Sequence, residues 1–118
     1  MNQRKFPRAS YKCRIRVLRA TKEEEVLTYT ENIGAGGVCV ELEKPLQLFE
    51  EVSLDIFLSD EKPPISCKGK IVWVVKNRPM GKQGKTLKYD TGVEFIDMPE
   101  KERKLIAQIV KDILSSNA

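Results

Sequence analysis

In the stretch Tyr11-Lys12-Cys13-Arg14-Ile15-Arg16-Val17-Leu18, Tyr11, Cys13, Ile15 and Val17 alternate with Lys12, Arg14 and Arg16. That is a period of two, the signature of a strand with one apolar and one cationic face. The same period recurs along most of the chain. Val26 to Thr30 reads as a second strand, reached across the polar stretch Thr21–Glu25. Val38, Val40 and Leu42 give a third, which Pro45 closes because proline cannot donate to a ladder. Val52, Leu54, Ile56 and Leu58 alternate with Ser53, Asp55 and Phe57 in a fourth. Ile65, Cys67, Gly69, Ile71, Trp73 and Val75 read as one face of a long fifth strand. On that pattern Trp73 is expected to pack in the core, with base stacking as the lesser alternative. Leu87, Tyr89, Thr91, Val93 and Phe95 make a sixth. Asp60–Pro64 reads as a turn, and the Pro and two Gly of Asn77–Lys85 predict a mobile hairpin loop.

The tail changes period. Leu105, Ile106, Ile109, Val110, Ile113 and Leu114 recur at the 3.6-residue spacing of an amphipathic helix over residues 98–116. Pro99 suits its first turn, and Glu100 and Glu102 suit its positive end. Six short antiparallel strands at regular spacing predict a closed β-barrel, because closure removes exposed edges, with the C-terminal helix covering its end or side.

Composition narrows the functional classes. The 118 residues suit one domain, with no apolar run long enough for a membrane span and no secretory signal, so the cytoplasm is the simplest compartment. The chain has no histidine, no nucleophile elbow, no P-loop and no metal-ligand spacing. This disfavours an enzyme, a cofactor and a metal site. Cys13, Cys39 and Cys67 are an odd, widely spaced set, expected as buried thiols. The net charge of +4 conceals segregation: residues 1–22 carry eight Lys or Arg and no acid, and residues 23–61 carry eleven acids and one Lys. Residues 76–88 carry five more basic residues and no acid, so two basic segments are available to an anion.

Two runs carry the functional signal. Arg4-Lys5-Phe6-Pro7-Arg8 places two guanidinium groups four residues apart in an N-terminal arm, residues 1–10, expected to be flexible. Guanidinium forks bind phosphates and guanine edges bidentately. Pro7 prevents a helix there. Asn32-Ile33-Gly34-Ala35-Gly36-Gly37 is an amide followed by a glycine-dense turn. Glycines let a backbone approach a ligand and offer its N–H groups to an anion. Asn32 can read a guanine edge, or close a local Asx-turn. Gly92, inside the sixth strand, marks a bulge or a close approach. Lys12, Arg14 and Arg16 form a cationic face that is either solvated or an extension of a phosphate-binding surface.

These runs resemble the two signatures of the PilZ domain, a bacterial receptor for cyclic di-GMP. That family reads Arg-x-x-x-Arg and then Asp/Asn-x-Ser-x-x-Gly, matched here by Arg4 and Arg8, and by Asn32 and Gly37. Gly34 stands where the family has Ser. The resemblance runs from Gln3 to Phe95 and includes Lys70-Ile71-Val72-Trp73-Val74 and Tyr89-Asp90-Thr91-Gly92-Val93-Glu94-Phe95. It implies a six-stranded antiparallel barrel spanning residues 11–96 with a C-terminal helix. It further implies a non-enzymatic receptor in which Arg4, Arg8, Asn32, Gly34, Gly37 and Gly92 contact cyclic di-GMP and a protein partner reads the change. Missing the serine hydroxyl costs about one hydrogen bond, roughly tenfold in affinity. Gln3, where an arginine tends to accompany a ligand dimer, implies one ligand per site. The alternatives are a degenerate PilZ interaction module without ligand, and a small basic barrel binding single-stranded nucleic acid. The aromatic residues Tyr11, Phe57, Trp73, Tyr89 and Phe95, placed mainly on apparent core faces, argue against the last.

Overall fold

The computed structural model describes residues 7–21, 23–77 and 87–116. Seven strands precede one helix: β1 (Arg8–Ser10), β2 (Arg14–Arg19), β3 (Glu24–Gly34), β4 (Gly37–Leu42), β5 (Glu51–Phe57), β6 (Ile65–Asn77), β7 (Lys88–Phe95) and α1 (Glu100–Ser116). Every pairing is antiparallel, and β3-β2-β5-β6-β7-β4 closes through a β3–β4 ladder into a six-stranded barrel. The expected barrel and C-terminal helix are therefore present, with β1 as an additional strand. The loop expected from Asn77 to Lys85 lies, beyond Asn77 itself, outside the described residues. Among the described residues no helix is long and apolar enough to cross a membrane.

Alternation builds the interior. Ala9, Ile33, Val38, Val93 and Ile71 lie opposite one another across five strands, and all are buried. Ile15, Val17, Val52, Leu54 and Ile56 complete the far side of the core. Cys13, Cys39 and Cys67 are free and buried.

Three details depart from simple alternation. First, Arg8–Ser10 do not hang free as part of the arm. They run along the same edge of β3 as β2, with Ser10 opposite Asn32 and Arg14 opposite Tyr29. The Thr30 hydroxyl donates to the Tyr11 carbonyl (2.6 Å) and accepts from the Cys13 amide (3.0 Å), replacing ladder bonds where the strand is interrupted. Second, Glu31 is an extra residue between Thr30 and Asn32 in the β3–β4 ladder. Third, Val72 is an extra residue between Ile71, opposite Val93, and Trp73, opposite Gly92. A bulge shifts the alternation by one residue. Val74 therefore packs on the core while Trp73 and Val75 turn outward, so Trp73 is not the core residue the sequence pattern predicts. Phe57 also faces outward, against the Arg14 guanidinium (5.1 Å to the ring centre).

The helix packs against β1 and β3. Its buried stripe is narrower than the sequence suggests: Ile106 and Val110 are buried, whereas Leu105 and Leu114 are exposed. The Arg103 amide donates to the Pro99 carbonyl, which makes Pro99 the residue that opens the helix.

The cationic face of Lys12, Arg14 and Arg16 is taken up by ion pairs and a ring contact. Arg14 meets Asp60, Arg16 meets Asp55 and Glu25, and Lys12 lies over the Tyr29 ring. Arg19 is buried, with Nε and Nη2 on the two oxygens of Glu50 (2.7 and 2.9 Å) and Nη1 on Glu24 (2.9 Å). This fork clips the loop before β5 to the end of β2. Removing one partner of a buried pair strands the other charge at a cost of about 3–5 kcal/mol. Arg19→Ala is accordingly expected to lower unfolding free energy by about that amount in urea titrations, whereas Arg14→Ala, on an exposed pair, is expected to change it by less than about 1 kcal/mol.

Candidate functional site

The outer face of β1, β3, β4, β7 and β6 carries three adjacent rows of side chains. Ser10, Asn32, Cys39, Gly92 and Trp73 form the middle row, each opposite the next across a strand pair. Arg8, Gly34, Gly37, Glu94 and Lys70 form the row on one side. Glu41, Asp90 and Val75 form the row on the other, joined by the bulged Glu31.

Glycine sets the depth of this surface. A Cβ on Gly37 would lie 2.4 Å from the Val93 carbonyl oxygen and 3.1 Å from Nη2 of Arg8. A Cβ on Gly34 would lie 2.6 Å from the Pro7 carbonyl oxygen and 3.0 Å from Cγ of Arg8. The Arg8 side chain thus lies across both glycines, and its Nη1 donates to Oδ1 of Asn32 (3.1 Å). Asn32 uses its carbonyl to aim the guanidinium, which leaves its Nδ2 as a donor toward the same face. At the far end Trp73 lies flat over Gly92, where a Cβ would fall 2.2 Å from the indole ring. Arg8 and Trp73 therefore bracket a shallow floor made of glycine backbone and the Cys39 thiol.

Five of the residues singled out from the sequence, Arg8, Asn32, Gly34, Gly37 and Gly92, share this face; Arg4 lies outside the described residues. Sequence reasoning assigned Trp73 to the core ahead of a stacking role, because the bulge at Val72 has no signature in the residues themselves. It missed the acidic row. Glu31, Glu41 and Asp90 bring carboxylate oxygens within 4.8 Å of one another, and Asn77 Nδ2 donates to Asp90 (3.2 Å). The Cys39 thiol donates to Glu31 (3.3 Å), and burial together with that carboxylate pushes it up to about 12, so it stays protonated and inert at neutral pH. Partial burial and the neighbouring Asp90 and Glu41 raise the Glu31 carboxyl above its ordinary value. One further link leaves the site: Arg103 Nη1 on α1 donates to the Ala35 carbonyl (3.2 Å) at the tip of the glycine turn.

The sequence model of the PilZ domain matches residues 2–112. The chain belongs to the PilZ domain family. Solved structures agree on the fold. The inhibitor of motility MotI/DgrA of Bacillus subtilis superposes with a TM-score of 0.80 at 20% identity, covering 100% of this chain and 54% of that one. The PilZ domain of YcgR from Escherichia coli, solved with c-di-GMP, gives 0.78 at 11% identity, covering 98% and 95%. MrkH of K. pneumonia in its c-di-GMP complex gives 0.76 at 16% identity, covering 99% and 55%. The chain thus spans about half the length of MotI/DgrA and MrkH, and nearly the whole of the YcgR PilZ domain. No curated protein sequence matches it significantly. In this PilZ domain the Gly34 position is closed to a larger residue by the Pro7 carbonyl while β1 is docked, a constraint invisible in the motif.

The acidic row gives a pH test. Below pH 4.5, the ordinary glutamate value, Glu31 is protonated folded and unfolded. As pH rises the unfolded chain ionises first, so stability falls until the raised folded-state carboxyl has ionised too. Glu31→Gln, whose amide still accepts from Cys39 and donates to Asp90, is expected to raise the melting temperature at pH 7 and to lose that gain below about pH 4.5. Calorimetric scans of both proteins across this range check it.

Proposed function

We propose that this PilZ domain is a receptor for cyclic di-GMP that passes ligand binding to a protein partner and performs no chemistry itself. The observation that carries the reading is the pairing of Arg8 with Asn32 above Gly34 and Gly37, facing Trp73 across Gly92. Each part suits one part of the ligand. A guanidinium supplies a charge-assisted fork for a phosphate or for guanine O6 and N7. A flat indole offers a stacking surface worth about 1–3 kcal/mol per base. The glycine floor lets ribose and phosphate approach the backbone. The carboxylates of Glu41 and Asp90, beside Trp73, suit the N1–H and N2–H donors of a stacked guanine. Arg4 completes the fork-and-fork motif. The c-di-GMP complexes of YcgR and MrkH, on the same fold, support the reading.

For signal output, Arg103 couples the tip of the glycine turn to α1, whose Leu105 and Leu114 are exposed to a partner. A shift of the turn on binding is expected to re-seat the helix. A ligand-free module is the less favoured reading, because Arg8 and Asn32 retain a binding geometry it would not need.

Trp73 is the only tryptophan, so its fluorescence reports the site directly. Titration with cyclic di-GMP is expected to quench it and to give a calorimetric dissociation constant below about 100 μM, roughly −5.5 kcal/mol. No heat and no quenching up to that concentration would overturn the assignment. Arg8→Ala is expected to cost about 1.5–3 kcal/mol of ligand affinity while circular dichroism shows an intact barrel. Gly34→Ser is expected to weaken the docking of β1, because serine needs the Pro7 carbonyl to move. Faster amide exchange at Ala9, which pairs with Ile33 of β3, is the corresponding measurement.

A further inference from the structure

The barrel is closed at only one end of the β3–β4 seam. Their ladder runs from Gly34/Gly37 to Thr30/Val40 and stops beyond the Glu31 bulge. Past it, residues 24–28 of β3 pair with β2 on one edge, and among the described residues no strand pairs with the other. Among the described residues the Thr28 hydroxyl, donating to the Glu41 carbonyl (3.0 Å), is the last hydrogen bond across the seam, beyond which the surface ion pair of Lys44 with Glu24 spans it. A cleft of about 400 Å³ opens there, with residues 24–28 on one bank, residues 41–44 on the other, and Leu46 and Lys88 completing its lining. Its floor is apolar, since Leu42 and Leu46 are buried and Val26 packs on the core.

We infer that this edge accepts an extended, basic segment of a partner protein as an added β-strand. Five residues of open edge offer roughly 16 Å of backbone, a full short strand. Natural edges are commonly blocked by lysine, proline or a bulge. Glu24-Glu25-Val26-Leu27-Thr28 has neither lysine nor proline, and Leu27 beside the cleft is 72% exposed. Strand addition gives affinity through main-chain bonds and specificity through alternate side chains. Here one set would reach the floor at Val26 and Leu42, and the other the rim. The cleft is lined by four glutamates and two lysines, and Glu31 and Asp90 add acid beside Glu41. Lys44 and Lys88 rest on Glu24 (3.6 Å) and Glu43 (3.3 Å) in surface pairs that an incoming cation displaces at little cost. The same charge disfavours a second copy of this chain, whose own glutamates would line the paired edge.

The probe is an acetylated, amidated hexapeptide of alternating lysine and valine, titrated into the whole chain and followed by amide NMR and hydrogen exchange. Binding with shifts across residues 24–28 and slowed exchange at Glu25 and Leu27, whose amides face away from β2, is expected, with no response to the glutamate–valine counterpart. A third peptide, N-methylated at alternate residues, keeps the charge but cannot join a ladder, so it is expected to fail. The double variant Glu25→Lys/Glu43→Lys is expected to weaken binding about tenfold or more while leaving Trp73 fluorescence unchanged. Equal binding by the N-methylated peptide would reduce the effect to charge adsorption and overturn the inference. So would strong exchange protection of these amides in the free protein, or self-association through this edge in sedimentation.

Discussion

The absence of two β-carbons governs the geometry of this domain. At Gly37 the Val93 carbonyl comes so close that no other residue fits, and this contact brings β4 and β7 together beside the turn. At Gly34 the Pro7 carbonyl occupies the space a side chain would need, and this lets β1 lie along β3. Closure of the barrel and placement of Arg8 therefore rest on one constraint. The hairpin that seals the seam is also the floor on which the guanidinium lies.

Arginines in this small barrel divide by what faces them. Arg14, Arg16 and Arg19 on β2 meet acids from β3, β5 and the loops on either side of β5, and serve the scaffold. The contacts of Arg8 include one to a neutral amide, Asn32. A carboxylate at the Asn32 position would cancel more of the positive field that an anion would feel, whereas an amide orients the guanidinium and leaves its charge in place.

Much of the fold was legible because strand alternation is a local signal. The six strands and the terminal helix followed from period and turn residues, and the clustering of Arg8, Asn32, Gly34, Gly37 and Gly92 from the resemblance to the PilZ signatures. What escaped was the effect of single extra residues. Val72 inverts the strand that follows it and turns Trp73 from the core to the surface, yet nothing in Ile71-Val72-Trp73-Val74-Val75 distinguishes a bulge from continuous alternation. Bulges are set by the partner strand, here by the pairing of Trp73 with Gly92, which is non-local. The extension of β1 escaped for a related reason. A basic stretch with a proline reads as a free arm until Thr30, 19 residues beyond Tyr11 and 17 beyond Cys13, supplies the bonds that splice it to β2. The acidic row depended on three strands coming into register, and no short motif records that.

The docked β1 changes how binding would be divided between enthalpy and entropy. An arm that must be captured from solution charges its ordering to the ligand, at about 1–2 kcal/mol for each backbone residue fixed. Arg8, Ala9 and Ser10 are already fixed by β3, and Arg8 is already aimed by Asn32. A glycine at position 34 gives up a hydroxyl worth about 0.5–1.5 kcal/mol, and in exchange it admits the strand that pre-organises the guanidinium. If Arg8 holds the ligand as proposed, this lower ordering cost would act against the loss of the motif serine, and the domain would trade some of the amplitude of a folding switch for a site assembled before its ligand arrives.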